Sequence, residues 1–366
     1  MIKRKIKFIP WSKPKLFGLE KKLVTKAINT SWISGGKYID LLELEFKKFL
    51  KVKHAFLVSN GTAAIHCAFL SLNLKVNDEI IVPGYGYMAA ANIAKLMNIK
   101  IKFADVDRDT FCISLDNIKK LKTKNTRVVV ITHTYGNIHE VDKIKTWCSK
   151  NNIKLVEDAA EAMGSRFKKK FAGTFGDIGT FSLHATKNIT TGEGGLVVTN
   201  NDKIASLIKL YRSHGVLKKR YYHIVPGHNF RITNFQAAMG LAQMKNKKKI
   251  FLKRKIIFMN YKKELDNNKF IIQKIDSKSD FVPWTQAIYF KNKKINYEKI
   301  SYYLMKKGIE TRNGFYSANR LPIYKVKKSK ISNSDFLSKN IICLPIFYDL
   351  KIKDVKKICS YLNHII

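Results

Sequence analysis

The chain is expected to be an α/β protein: a large domain with a mostly parallel central sheet flanked by helices, plus a small C-terminal α+β domain. Three observations carry that expectation. Short runs nearly pure in Ile and Val alternate with helical stretches over the first two-thirds of the chain, as strands buried on both faces do. Near residue 245 the alternation gives way to a lysine-rich helical stretch and then to mixed strands and helices. Finally, 366 residues at 45% hydrophobic content suffice for one large core and a smaller one.

The elements follow in order. After the basic arm "MIKRKIKFIPWSKPK", the stretch "LEKKLVTKAINTSWISGG" reads as a helix closed by a Gly-Gly turn. "YIDLLELEFKKFLKV" has the period of an amphipathic helix. Strand and helix then alternate through "HAFLVSNG", "TAAIHCAFLSLNL", "DEIIVPG", "MAAANIAKLMN" and "KIKFADVD". "RVVVITHTYG", "VDKIKTWCSKN" and "IKLVEDAA" continue the series, and "GTFSLHA" and "GGLVVTN" read as neighbouring strands around a turn. "MKNKKKIFLKRKIIFMNYKKEL" reads as one long helix at the boundary, giving domains 1–245 and 246–366. "FVPWTQAIYF", "YEKISYYLMKKGIE", "NIICLPIF" and "KDVKKICSYLNHI" then form the small domain, with no internal repeat and no low-complexity linker.

The formal net charge is +42, from 69 Lys and Arg against 27 Asp and Glu. Such a balance raises the question of nucleic acid or an anionic membrane. The lysines are spread along the whole chain without a nucleic-acid motif, so they read as a solvated surface and neither partner is expected. The five cysteines, Cys67, Cys112, Cys148, Cys343 and Cys359, are scattered without a CxxC pair, so no metal site or disulfide framework is indicated. A sparse, odd count fits a reducing cytoplasm. The apolar run of the N-terminal arm is too short for a signal peptide or a membrane span.

Three segments carry chemistry. In "SNGTAAIHC" a strand runs into Gly61-Thr62-Ala63, which opens a helix. Free backbone N–H groups and the helix dipole there suit a phosphate, although Asn-Gly-Thr is also an ordinary turn and cap. In "LVEDAAEAMGS" Asp158 ends a strand, either as a functional carboxylate at the carboxyl edge of the sheet or as a helix cap. In "SLHATKNITTGEG" the only formal charge besides Lys187 is Glu193. A lysine whose ammonium is disfavoured by its surroundings becomes a Schiff-base nucleophile. Together these are the parts a pyridoxal phosphate site needs: a phosphate anchor, a carboxylate for the pyridine nitrogen, and a lysine for the aldehyde.

At these segments the chain resembles the DegT/DnrJ-type sugar aminotransferases, of the fold-type I pyridoxal phosphate superfamily. The resemblance covers nearly the whole length, through "WISGGKYIDLLELEF", "SNGTAAIHCAFLSL", "DEIIVPGYGYMAAANI", "VEDAAEAMGS", "GTFGDIGTFSLHATKNITTGEGGLVVTN", "GHNFRITNFQAAMGLAQM" and "CLPIF". It implies that Lys187 holds the cofactor as an imine and that Asp158 pairs with the pyridinium nitrogen. It also implies that Gly61, Thr62, Ala63 and Ser182 bind the phosphate and that Tyr87 stacks on the cofactor ring. Asn229 matches an asparagine that reaches the phosphate in the neighbouring subunit, which implies a homodimer with shared active sites. Glu161 stands where many members carry glutamine; the perosamine-synthase-like subset carries glutamate there and shares "WIS" near the N-terminus. A glutamate there would face the cofactor's phenolic oxygen or the substrate amine. The segment "TRNGFYSANR" departs from the family's proline-rich pattern and leaves the sugar open, with Tyr316 and His184 as candidate substrate contacts.

The resemblance implies transfer of an amino group from an amino acid, by family habit glutamate, to a nucleotide-linked keto-deoxy sugar. The expected site of amination is C4 of a 4-keto-6-deoxyhexose, for surface polysaccharide or aminosugar biosynthesis such as lipopolysaccharide O-antigen. Amination at C3, the family's dehydratase branch, and a nucleic-acid-binding regulator on the same fold stand as alternatives. Lys187 argues against the dehydratases, which carry histidine there.

Overall fold

The computed structural model describes residues 7–217, 219–292 and 297–365. Its large domain contains β1 (His54–Val58), β2 (Glu79–Pro83), β3 (Lys100–Ala104), β4 (Thr126–Thr132), β5 (Lys154–Asp158), β6 (Arg166–Phe167), β7 (Lys170–Phe171), β8 (Ile178–Ser182) and β9 (Gly195–Thr199). Seven of them form one sheet in the order β1-β9-β8-β5-β4-β2-β3. Neighbours from β3 through β2, β4 and β5 to β8 are parallel. β9 is antiparallel to both β8 and β1, so β1 again runs with β8. The carboxyl ends of β1, β2, β4, β5 and β8 therefore open along one edge, where ligands of such sheets bind.

The strands read as pure Ile and Val because both faces are covered. In β4, Val129 and Ile131 enter one apolar cluster while Val128 and Val130 enter the other. The period of two sends alternate side chains to opposite faces. The covering helices are α1 (Leu19–Asn29), α2 (Lys37–Leu50), α3 (Gly61–Ser71), α4 (Ala89–Leu96), α5 (Leu115–Lys119), α6 (Val141–Lys150), α7 (Asp202–Tyr211) and α8 (Asn234–Lys245). α8 packs back on α1 and α2, and α3 packs under β8 and β9.

The stretch read as one long helix is two helices. α8 ends at Lys245, Asn246 turns the chain, and α9 (Lys247–Glu264) begins. The first turns of α9 place Ile250 in the large core, whereas Ile257 and Tyr261 belong to the small core. β10 (Phe270–Ile272), β11 (Ser279–Asp280), β12 (Gln286–Phe290), β13 (Arg312–Asn313) and β14 (Ile342–Leu344) follow, with α10 (Tyr297–Lys306), α11 (Ser332–Asn340) and α12 (Ile352–Asn363). Four of these strands form an antiparallel sheet in the order β10-β12-β14-β13. β11 instead pairs with β6 of the large domain.

The sheet edge is tightest where β9 meets the turn after β1. A Cβ on Gly195 would collide with the carbonyl oxygen of Asn60, so only glycine lets β9 pass the turn that opens α3. Gly195→Ala is therefore expected to cost about 1–3 kcal/mol, read as a lower midpoint in urea unfolding. An unchanged midpoint would show that this edge yields freely.

Candidate active site

Strand register assembles the expected residues. Thr132, Asp158 and Thr180 lie side by side across β4, β5 and β8. One step towards the edge, Ser182 is level with Gly195, and Gly195 with Val58 of β1. Asp158, Ser182 and the turn at Gly61 thus share the carboxyl edge.

α3 begins at Gly61 behind Asn60, whose Oδ1 accepts the Ala63 N–H at 2.8 Å. That cap engages the Ala63 amide, the third of the amides expected at a phosphate. The N–H groups of Gly61 and Thr62, in the first turn, have no acceptor within the helix and stand at its positive end. A Cβ on Gly61 would lie 3.0 Å from the Cβ of Ser182, so hydroxyl and helix start share one narrow cradle.

Side chains alternate along β5 and separate two adjacent carboxylates. Glu157 turns away and accepts the N–H groups of Gly173 at 2.8 Å and of Phe175 and Gly176 at 2.5 Å, beside the ring of His133 at 2.8 Å. Its work is structural. Asp158 is buried, accepts the Ala160 N–H at 3.1 Å, and has its pKa raised by burial against the opposing influence of that bond, Lys187 and His133. A buried carboxylate whose ionised form lacks a close cation is suited to a protonated ring nitrogen.

Lys187 lies in the connection between β8 and β9, which is tied to itself and to its neighbours. Lys187 N–H donates to His184 O at 2.9 Å, Thr191 N–H to Leu183 O at 2.9 Å, and Asn188 Nδ2 to Met163 O at 3.1 Å. The lysine side chain is 13% exposed and its Nζ is 3.9 Å from Glu161 Oε1. Burial lowers its pKa; Glu161 and Asp158 oppose that, while the Arg254 guanidinium adds to it. Glu161 accepts the Tyr135 N–H at 2.6 Å, and burial pushes its carboxyl up to about 7 despite Lys187.

The other expected residues fall further out. Tyr87 follows β2 at the same edge and presents a ring that is 67% exposed. His184 holds Thr186 Oγ1 at 3.0 Å and stands 3.6 Å from Glu193. Tyr316 is 48% exposed under the Arg320 guanidinium, whereas its neighbour Phe315 stacks inward on Tyr135. Asn229 is exposed; it bridges to Ser213, and its Oδ1 accepts Arg231 Nε at 3.0 Å.

Sequence reasoning missed Trp284 and Arg254. The Lys187 ammonium sits 3.6 Å from the centre of the Trp284 ring. Arg254 is buried on α9, donates to the carbonyls of Pro283, Trp284 and Ile346, and has its pKa pushed down to about 10 by burial. Trp284 lies in a piece read only as part of the small domain, and Arg254 in a lysine-rich run read only as helix. The lone arginine at an apolar-facing position of that helix was the one available signal.

These residues fit pyridoxal phosphate on this structure's own terms. The cradle is narrow and offers amides and a hydroxyl to an anion, the buried carboxylate suits a cationic ring, and the buried amine suits an aldehyde. Fold and site together define a fold-type I aminotransferase. Residues 16–363 match the DegT/DnrJ/EryC1/StrS aminotransferase family, and the chain belongs to it. It is 35% identical over 361 residues to the GDP-perosamine synthase of Vibrio cholerae, covering 97% of this chain and 98% of that one. It is 31% identical over 346 residues to the Campylobacter jejuni UDP-4-amino-4,6-dideoxy-N-acetyl-beta-L-altrosamine transaminase, covering 91% of each. The Helicobacter pylori aminotransferase involved in the biosynthesis of pseudoaminic acid superposes with a TM-score of 0.92 at 28% identity, covering 97% of this chain and 98% of that one. No helix among the described residues is long and apolar enough to cross a membrane, and the five cysteines are buried and free.

Above about pH 7 the ionised Glu161 is the strongest influence holding the proton on Lys187. Glu161→Gln removes that attraction, so Lys187 should lose its proton at a lower pH. Trace acetylation of cofactor-free protein across pH, with the Lys187 peptide quantified by mass spectrometry, reads this midpoint. A midpoint that stays or rises would refute the coupling.

Proposed function

We propose that this protein is a pyridoxal-phosphate-dependent aminotransferase that passes an amino group from an amino acid, glutamate by preference, to C4 of a nucleotide-linked 4-keto-6-deoxyhexose. The observation that carries the reading is the buried Lys187 amine between Glu161 and Trp284, beside Asp158, at the carboxyl edge of the sheet. Bound pyridoxal phosphate supplies an aldehyde that takes up and hands on the amino group, and a ring that accepts electrons.

The chain's own residues supply the rest. The Gly61 and Thr62 N–H groups and Ser182 Oγ hold the phosphate, and Asp158 holds the proton on the ring nitrogen. Tyr87 covers one face of the ring. Lys187 Nζ, its hold on a proton weakened by burial, takes a proton from the donor and returns one at the sugar carbon. Glu161, near pH 7 close to half protonated, can accept or give a proton beside it. The position aminated rests on similarity to a perosamine synthase and to a transaminase whose product name carries the amine at C4. A cytoplasmic enzyme supplying amino sugars for surface glycans, including lipopolysaccharide O-antigen, follows from the same reading.

The deciding experiment combines protein, pyridoxal phosphate and glutamate with nucleotide-linked 4-keto-6-deoxyhexoses, with the product identified by NMR. A C4 amine is expected, and Lys187→Ala should lose both turnover and the visible absorbance of the wild type. An amine on C3 would overturn the position; turnover by Lys187→Ala would overturn the mechanism.

The active unit is proposed to be a homodimer in which Asn229 serves the partner's phosphate, a role its exposed side chain leaves open. Inactive Asn229→Ala and Lys187→Ala subunits, mixed equally with free exchange, should then recover roughly a quarter of wild-type activity, since half the dimers contain one complete site. No recovery under demonstrated exchange would place Asn229 outside the partner's site.

A further inference from the structure

We infer that Trp284 is the positioning residue for Lys187: its indole face holds the lysine amine while its N–H holds the carbonyl of Thr186, the residue before it. The inference deepens the reading of Lys187 as the cofactor-binding lysine and rests on it. Two contacts converge on this lysine from one side chain. Lys187 Nζ lies 3.6 Å from the ring centroid, close enough for a cation–π attraction, for which Trp is the best partner. Trp284 Nε1 donates to Thr186 O at 2.9 Å, fixing the peptide that leads into Lys187.

Trp284 is itself held from all sides. Its backbone N–H donates to Tyr135 O at 3.1 Å, and its carbonyl accepts Arg254 Nη1 at 3.0 Å. Its ring stacks with Tyr135 and Phe315, each at 6.3 Å between centroids, and meets Trp11 edge-on at 5.4 Å. Tyr135 is also the residue whose N–H holds Glu161, so one aromatic cluster places both the lysine and its carboxylate. These anchors come from different parts of the chain: Arg254 from α9, Trp284 from the segment entering β12, Phe315 from the segment after β13.

The electrostatic consequence has a definite sign. The π face attracts the ammonium but not the neutral amine, so Trp284 keeps Lys187 protonated against the burial and the Arg254 charge that act the other way. An aromatic wall thus lets the amine stay fixed beside Glu161 without a tight ion pair, whose rupture would oppose the lysine's release for chemistry.

The test weakens the ring's charge without changing its shape. Cofactor-free protein is made with its four tryptophans replaced by mono-, di- and trifluorinated tryptophan, and Lys187 is titrated by trace acetylation and mass spectrometry. Fluorine withdraws charge from the π face, so the midpoint should fall stepwise, with a total loss of roughly twofold to tenfold in proton affinity. The same series in Trp284→Phe protein should leave the midpoint unmoved. In cofactor-loaded protein, Trp284→Phe should lower kcat with little effect on the donor's KM. A midpoint indifferent to fluorination in the wild type, or one that still moves in Trp284→Phe, overturns the inference. Because the titration uses no cofactor and no turnover, it stands apart from failure of the proposed reaction, which would show instead as absent visible absorbance.

Discussion

The structure turns on keeping an amine out of water. Lys187 is held at the edge of the sheet where burial disfavours its ammonium while two carboxylates and a ring face restrain how far that goes. Burial acting alone would disfavour the ammonium further and leave the amine unplaced. A close ion pair would instead leave it charged and slow to react. The 3.9 Å gap to Glu161, a group itself pushed up to about 7, lies between those limits. The neighbouring elements can be understood as what that intermediate state needs: β5 to deliver Asp158, the β8–β9 connection to deliver the lysine, and the small domain to close it with Trp284.

The large domain shows why such a site forms on this sheet. Parallel strands leave their carboxyl ends unoccupied while helices cover both faces, so polar groups can be concentrated at an edge without opening the core. Alternation then sorts neighbours with one chemistry into two roles. Glu157 and Asp158 are adjacent carboxylates, yet one knots the loop at residues 173–176 and the other faces the site. Gly195 completes the edge by letting β9 pass the Asn60 backbone, and Gly61 by leaving room beside the Ser182 side chain.

Much of this was legible in the sequence, for physical reasons. Largely aliphatic strands announce a covered parallel sheet, and Lys187, Asp158 and Gly61 stand in local patterns that suit the roles proposed for them. The break at Asn246 was not legible, because helix-forming residues flank it on both sides and only tertiary packing decides where each belongs. The Asn60 cap on Ala63 was one of two readings that Asn-Gly-Thr allowed, and the structure shows the cap. Trp284 and Arg254 were invisible for a different reason: their role depends on contacts between segments remote in sequence, and neither stands in a motif. The segment at residues 311–320 was half legible. It offered Tyr316 as a candidate substrate contact, but that Phe315 rather than Tyr316 turns inward is set by stacking on Tyr135.

The excess charge of +42 can now be set against where charge operates. The proposed phosphate cradle offers backbone amides and a hydroxyl, not lysine, and the charged groups beside Lys187 are two acids and one arginine. Acids elsewhere are engaged in local work, as when Asp177 holds Lys145 and the Leu155 N–H, or Asp105 holds the start of α11. A chain with only 27 acids therefore commits many of them to fixed structural bonds, leaving the lysine surplus on the surface. That surplus is screened over about 8–10 Å at ordinary ionic strength. It can raise the encounter rate with an anionic nucleotide substrate, but the selective contacts must be made inside the site, where the lysine that matters is the one kept away from water.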